Sequence, residues 1–271
     1  MLRLQSPLPE RYTSATPGEL ETRIGTARHE LGERVFILGH HYQRDEVMRW
    51  ADARGDSYGL SRLAAANSSA EYVVFCGVHF MAESADVLTS DHQKVILPDL
   101  NAGCSMADMA DLDEVEEAWE SLAAVVDVDR LVPITYMNSS AALKAFVGRH
   151  GGSVCTSTNA RAVLEWALSK GEKVLFFPDQ HLGRNTGLAM GYSLDDMRVW
   201  NPRLDQETPD KTVVSLDPLI CPCSTMFRID PPHLAWVLEN LVEGRVVNRI
   251  TVDADTAEWA RVAPQRMLDI T

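Results

Sequence analysis

Short apolar runs that end in small polar residues recur along this chain, each followed by a stretch of helical periodicity. Val35-Phe36-Ile37-Leu38-Gly39 enters a polar loop as a buried parallel strand would. Further strands are predicted at 72–76, 94–98, 131–136, 153–155, 173–178 and 212–216, each parted from the next by helix-like or loop sequence. Thr16-Pro17-Gly18-Glu19 places a capping residue, a first-turn proline and an N3 glutamate in order, which predicts a helix from 17 to a glycine stop at Gly32. An acidic, Ala- and Glu-rich helix is predicted over 107–126, with its charge run on a solvated face. Asp230-Pro231-Pro232 opens a helix over 233–241 that Gly244 closes, and 256–268 offers a last amphipathic helix interrupted by Pro264. Strands alternating with helices in this way imply α/β layering.

Composition narrows the function classes. The 271 residues carry 25 basic and 39 acidic side chains, a net charge of −14, which argues against nucleic acid or an anionic membrane surface as partner. No run approaches the ~18 apolar residues of a membrane span, and the N-terminal residues carry no secretory apolar region, so a cytoplasmic location is expected. Five cysteines, Cys76, Cys104, Cys155, Cys221 and Cys223, are odd in number and read as reduced thiols rather than a disulfide framework.

The chemistry-bearing residues gather where strands give way to helices. Gly55-Asp56-Ser57, Tyr136-Met137-Asn138-Ser139-Ser140, Cys155-Thr156-Ser157-Thr158-Asn159 and His40-His41-Tyr42-Gln43 each put hydroxyls, amides or imidazoles at such a junction. One junction alone reads as a helix N-cap. Four on a parallel α/β scaffold read as one anion-binding cleft, because free N–H groups and helix dipoles gather at the carboxyl ends of strands. His40 and Tyr42 directly follow a buried strand and are suited to proton transfer. Cys104 in Ala102-Gly103-Cys104-Ser105, and Cys221 in Cys221-Pro222-Cys223, sit in the Gly- and Pro-shaped loops that hold soft metals and iron–sulfur clusters, whereas Cys76 and Cys155 end apolar strands and read as small buried hydrophobes.

Together, the segments HHYQRDEV, GDSYGLSR, CGVHFMAE, AGCS, YMNSS, CTSTN, PDQHLGRN and CPCSTM resemble the quinolinate synthase family, over about 30–202 and again from about 210 to the end. The resemblance implies repeated three-layer α/β/α units with short parallel sheets around a central cleft. It also implies the condensation of iminoaspartate with dihydroxyacetone phosphate to quinolinate in de novo NAD biosynthesis, and a [4Fe-4S] cluster with one iron open to substrate. By motif, Cys104 resembles the first cluster ligand and Cys221 the third. His40 and Tyr42 resemble the catalytic pair of the first repeat, Ser57 its substrate hydroxyl, and Tyr136, Asn138 and Ser157 the substrate contacts of the second, with Tyr136 also assigned to catalysis.

The same resemblance implies a homodimer and a functional link to L-aspartate oxidase or aspartate dehydrogenase, the suppliers of iminoaspartate. The pattern breaks after Trp200-Asn201-Pro202. The family's second cluster cysteine and most of its third repeat, with a catalytic His-Glu pair and a Gly-Ser-Thr loop, have no counterpart. The expected organisation is a first repeat over 1–106, a second over 107–202 and a remnant of the third over 203–271. The strand at 212–216 is placed to substitute for the lost last strand of the second repeat. Two thiolates leave the cluster short of a ligand that Cys223, Cys155 or a second subunit would supply. The competing expectation is an impaired homologue that keeps only a small-anion-binding scaffold.

Overall fold

The computed structural model describes residues 5–200, 213–216 and 223–270. In chain order its helices are α1 (Glu10–Thr13), α2 (Pro17–Leu31), α3 (Asp45–Met48), α4 (Ser57–Ala66), α5 (His79–Leu88), α6 (Leu112–Ala123), α7 (Ala141–Arg149), α8 (Ala160–Lys170), α9 (Gln180–Ala189), α10 (Pro231–Val242) and α11 (Ala254–Ile270). Its strands are β1 (Val35–His40), β2 (Ala53–Gly55), β3 (Tyr72–Cys76), β4 (Lys94–Ile96), β5 (Leu131–Tyr136), β6 (Ser153–Cys155), β7 (Lys173–Phe177), β8 (Met197–Trp200), β9 (Val213–Leu216) and β10 (Arg249–Ile250). The fold is α/β with parallel sheets, as expected.

The chain forms two compact units, the first from 1–104 with 222–252 and the second from 105–221 with 253–271. The sheet of the first unit runs β10-β4-β3-β1-β2, parallel except for β10, which is antiparallel to β4. The sheet of the second runs β6-β5-β7-β9-β8 and is parallel throughout. The strand after the break in the family pattern, β9, therefore lies inside the second sheet, between β7 and β8.

Local chemistry accounts for most of these elements. Every residue of β3 is buried, and β5 and β7 are buried at all but one terminal position, as expected of parallel strands covered on both faces. At the start of α2 the Thr16 side chain accepts from the Glu19 N–H while the Glu19 carboxylate accepts from the Thr16 N–H. The helix buries Leu20, Ile24, Ala27 and Leu31 and stops at Gly32, whose φ of +55° favours glycine. It packs against α10, whose cap Asp230 accepts from the His233 N–H.

Two helices depart from expectation. The acidic helix is shorter, because Asp111 caps it by accepting from the Glu114 N–H. The last helix runs from Ala254 to Ile270 straight through Pro264, which is buried with Ala257, Ala260, Ala263 and Met267 within the second unit. Packing against α7 offsets the backbone bond that Pro264 forfeits. Among the described residues, no helix is long and apolar enough to cross a membrane.

Candidate functional site

In the first unit, β1, β2, β3 and β4 run parallel, so their carboxyl ends open on one edge, and the predicted residues stand along it. His40 closes β1 opposite Gly55, the last residue of β2. Asp56 then caps α4 by accepting from the Gly59 N–H at 2.7 Å, which leaves Ser57 as the first residue of that helix, half-buried. Cys104 follows β4 at the end of a loop that closes on itself: the Ala102 N–H donates to the Asp99 carbonyl, and the Ala102 carbonyl accepts from His79.

The hydrogen bonds assign opposite tautomers to the two histidines. The Tyr42 backbone N–H lies 3.2 Å from His40 Nδ1 and can only donate, so Nδ1 accepts and a neutral His40 carries its proton on Nε2. His41 Nδ1 lies 3.0 Å from the Gly55 carbonyl, which can only accept, so that nitrogen bears hydrogen. The three rings cluster. His40 and His41 stack at 4.3 Å, and the Tyr42 ring stands edge-on to both, at 5.2 and 4.4 Å. His40 is buried, and that burial, reinforced by neighbouring His41 and opposed by Asp56, pushes its pKa down to about 4. Tyr42, 60% exposed, presents its phenol to solvent from this base.

The second unit repeats the plan. Tyr136 ends β5 in register with Cys155, which ends β6, so Tyr136 and Asn138 stand beside the Thr156–Asn159 turn that carries Ser157. The Ser139 hydroxyl donates to the Tyr136 carbonyl at 2.8 Å, and the Ser140 hydroxyl caps α7 by accepting from the Leu143 N–H. Asn159 Oδ1 accepts from both the N–H and the hydroxyl of Thr156, at 2.7 and 3.0 Å, and leaves Ser157 exposed. Each edge thus collects its own residues: His40, Tyr42, Ser57 and Cys104 on the first, Tyr136, Asn138 and Ser157 on the second.

Sequence reasoning missed Lys144. Its side chain is 2% exposed, and its ammonium donates to the Ser139 carbonyl at 2.5 Å. Lysine is almost never buried without a partner, and the Ser139 carbonyl is one that Lys144 has here. The available signal was one charge inside the apolar stretch Ala141-Ala142-Leu143-Lys144-Ala145-Phe146-Val147.

A family model described as Quinolinate synthetase A protein matches residues 22–202 and 197–269. The chain belongs to the quinolinate synthase family. The quinolinate synthase of Corynebacterium glutamicum is 45% identical over 98% of this chain and 91% of its own length. That of Geobacillus kaustophilus is 43% identical over 97% and 96%, and that of a Nocardioides species 45% identical over 96% and 91%. The alignment to the first of these is 359 positions long, against 271 residues here, so the relative carries a block that this chain lacks. The two pieces of the family match overlap at 197–202, which places the block at or beside β8.

The quinolinate synthase resemblance implies an iron–sulfur cluster, which is held by thiolates. Cys76 and Cys155 do not suit it: both are fully buried, and burial pushes the Cys76 thiol up to about 12 and that of Cys155 well above its ordinary value. Among the cysteines whose burial is described, Cys104 is half-buried rather than fully enclosed, and a thiolate is the donor type that such a cluster takes. Cys221 lies outside the described residues, and among those described no group of three or more His, Cys, Asp or Glu side chains assembles a metal site.

Proposed function

We propose that this chain is a quinolinate synthase, condensing iminoaspartate with dihydroxyacetone phosphate to quinolinate for de novo NAD biosynthesis. Family membership over nearly the whole chain supports the reaction, and the observation that carries it to residues is the edge where His40, Tyr42, Ser57 and Cys104 follow adjacent parallel strands. In this reading Cys104 and Cys221 hold a [4Fe-4S] cluster, which when bound supplies a Lewis-acidic iron for the oxygens and nitrogen of the substrate. The enzyme acts in the cytoplasm as a homodimer, fed by an L-aspartate oxidase or aspartate dehydrogenase.

The protein side of the mechanism follows from the protonation states. A condensation ending in an aromatic ring must deliver protons to departing oxygens and remove them from carbon. His40, neutral with its proton on Nε2, donates a hydrogen bond from that atom and orients a substrate oxygen, and the Tyr42 phenol beside it gives and takes the proton. Ser57 at the first turn of α4 and Asn138 just ahead of α7 offer donors to carboxylate or phosphate, assisted by the positive ends of those helices. Tyr136 supplies a second phenol, and Ser157 a hydroxyl at the next junction.

Anaerobic reconstitution with iron and sulfide, followed by an assay of quinolinate from iminoaspartate and dihydroxyacetone phosphate, tests this reading. The expected result is a visible iron–sulfur absorption band, lost in Cys104→Ala and in Cys221→Ala, with turnover lowered roughly 10²- to 10⁴-fold in His40→Ala and Tyr42→Phe while the band is retained. A wild-type chain that binds no iron overturns it.

A further inference from the structure

One short segment of the first unit ties the loop that carries Cys104 to the turn that carries His40 and Tyr42. The 3-10 turn Cys223–Arg228 follows directly on Cys221-Pro222 and meets two distant stretches of chain. The Thr225 hydroxyl donates to the carbonyl of Gly103, next to Cys104, and Arg228 Nε donates to Asp99 at 3.0 Å, at the head of the same loop. On its other side the Met226 carbonyl accepts from Gln43 Nε2 at 3.0 Å, and the Phe227 carbonyl accepts from the Arg44 guanidinium.

Gln43 occupies the middle of this arrangement. Its side chain is buried, its Oε1 accepts from the Arg44 N–H at 3.0 Å, and its own N–H donates to the His40 carbonyl at 2.8 Å. The same residue therefore closes the His40–Gln43 turn and fastens it to the segment that follows the cysteines. We propose that Gln43 is a positioning residue whose bond to Met226 links iron binding at Cys104 to the placement of His40 and Tyr42. This rests on the quinolinate synthase reading for what the turn and the thiols do, while the link itself rests on the hydrogen bonds alone. The link runs both ways: whatever orders Cys223–Arg228 orders the turn, and loosening the turn loosens Cys223–Arg228.

Hydrogen–deuterium exchange over peptides covering 40–44 and 223–228, in the iron-free and reconstituted states of wild type and Gln43→Met, tests the link. In wild type, reconstitution is expected to slow exchange in both peptides. In Gln43→Met it slows 223–228 but not 40–44, iron content stays at the wild-type level, and kcat falls on the order of 10- to 100-fold with KM little changed. In the iron-free state, 223–228 exchanges faster in the variant than in wild type.

Equal exchange of 223–228 in the two iron-free proteins, or equal protection of 40–44 on reconstitution, overturns the proposal. If wild type takes up no iron, the quinolinate synthase reading fails, and the iron-free comparison still decides the link. Should Gln43→Met not fold, Gln43→Asn keeps the amide but shortens its reach by one methylene and serves in the same comparison.

Discussion

At the scale of single residues, the burial of His40 has a consequence for stability. Its pKa is about 4 in the folded chain against an ordinary 6.5, so between those values the unfolded chain binds a proton that the folded one refuses. The stability at stake is fully present above pH 6.5 and is lost as pH falls through the window toward 4. Urea unfolding should show a drop between pH 7 and pH 5 that is smaller in His40→Asn than in wild type, by about 2 kcal/mol at most. An equal drop in both proteins would mean that the imidazole is not held neutral. Position after a buried strand made His40 and Tyr42 legible in the sequence. The tautomer was not legible, because it depends on a backbone N–H two residues away, and neither was Gln43, whose partner lies 183 residues on.

At the scale of elements, the contact of α7 with α11 reverses an ordinary rule. Glycine inside a helix is usually less stable than alanine by about 1 kcal/mol. A Cβ at Gly148, however, would come within 2.2 Å of the Trp259 carbonyl, so α11 could no longer lie against α7. Gly148→Ala is expected to destabilise by about 1–3 kcal/mol in chemical denaturation, where an exposed helix site would gain. At the other end of the chain, Thr16→Ala removes one half of the α2 capping box and should cost about 1 kcal/mol. That helix was legible because its cap is local. The long apolar strands were legible through their continuous burial, whereas β2, β8 and β10, of two to four residues, are defined by the neighbour they pair with and left no periodic trace. The passage of α11 through Pro264 was hidden for the same reason: packing on another element decides it.

At the scale of the molecule, the last fifth of the chain is shared out. Residues 222–252 complete the first unit, where β10 pairs with β4 and α10 covers α2, and 253–271 complete the second. Removing α11 should therefore expose the buried face of α7 and lower the unfolding temperature of the second unit while the first is retained, giving two transitions in calorimetry. The alternation of strand and helix made the α/β class legible, but this crossing of the C-terminal segments was not, since no local pattern records which sheet a strand will join.

The placement of β9 carries this further. The strand made after β8 wedges between β8 and β7, so β8 has no hydrogen-bonded neighbour in the sheet until β9 arrives. A ribosome delivering this chain from its N-terminus holds an unfinished sheet with a bare edge at β7 for as long as the next forty or so residues take to emerge. During that interval the nascent protein offers a template for stray strands, and its safe assembly rests on how quickly the tail follows.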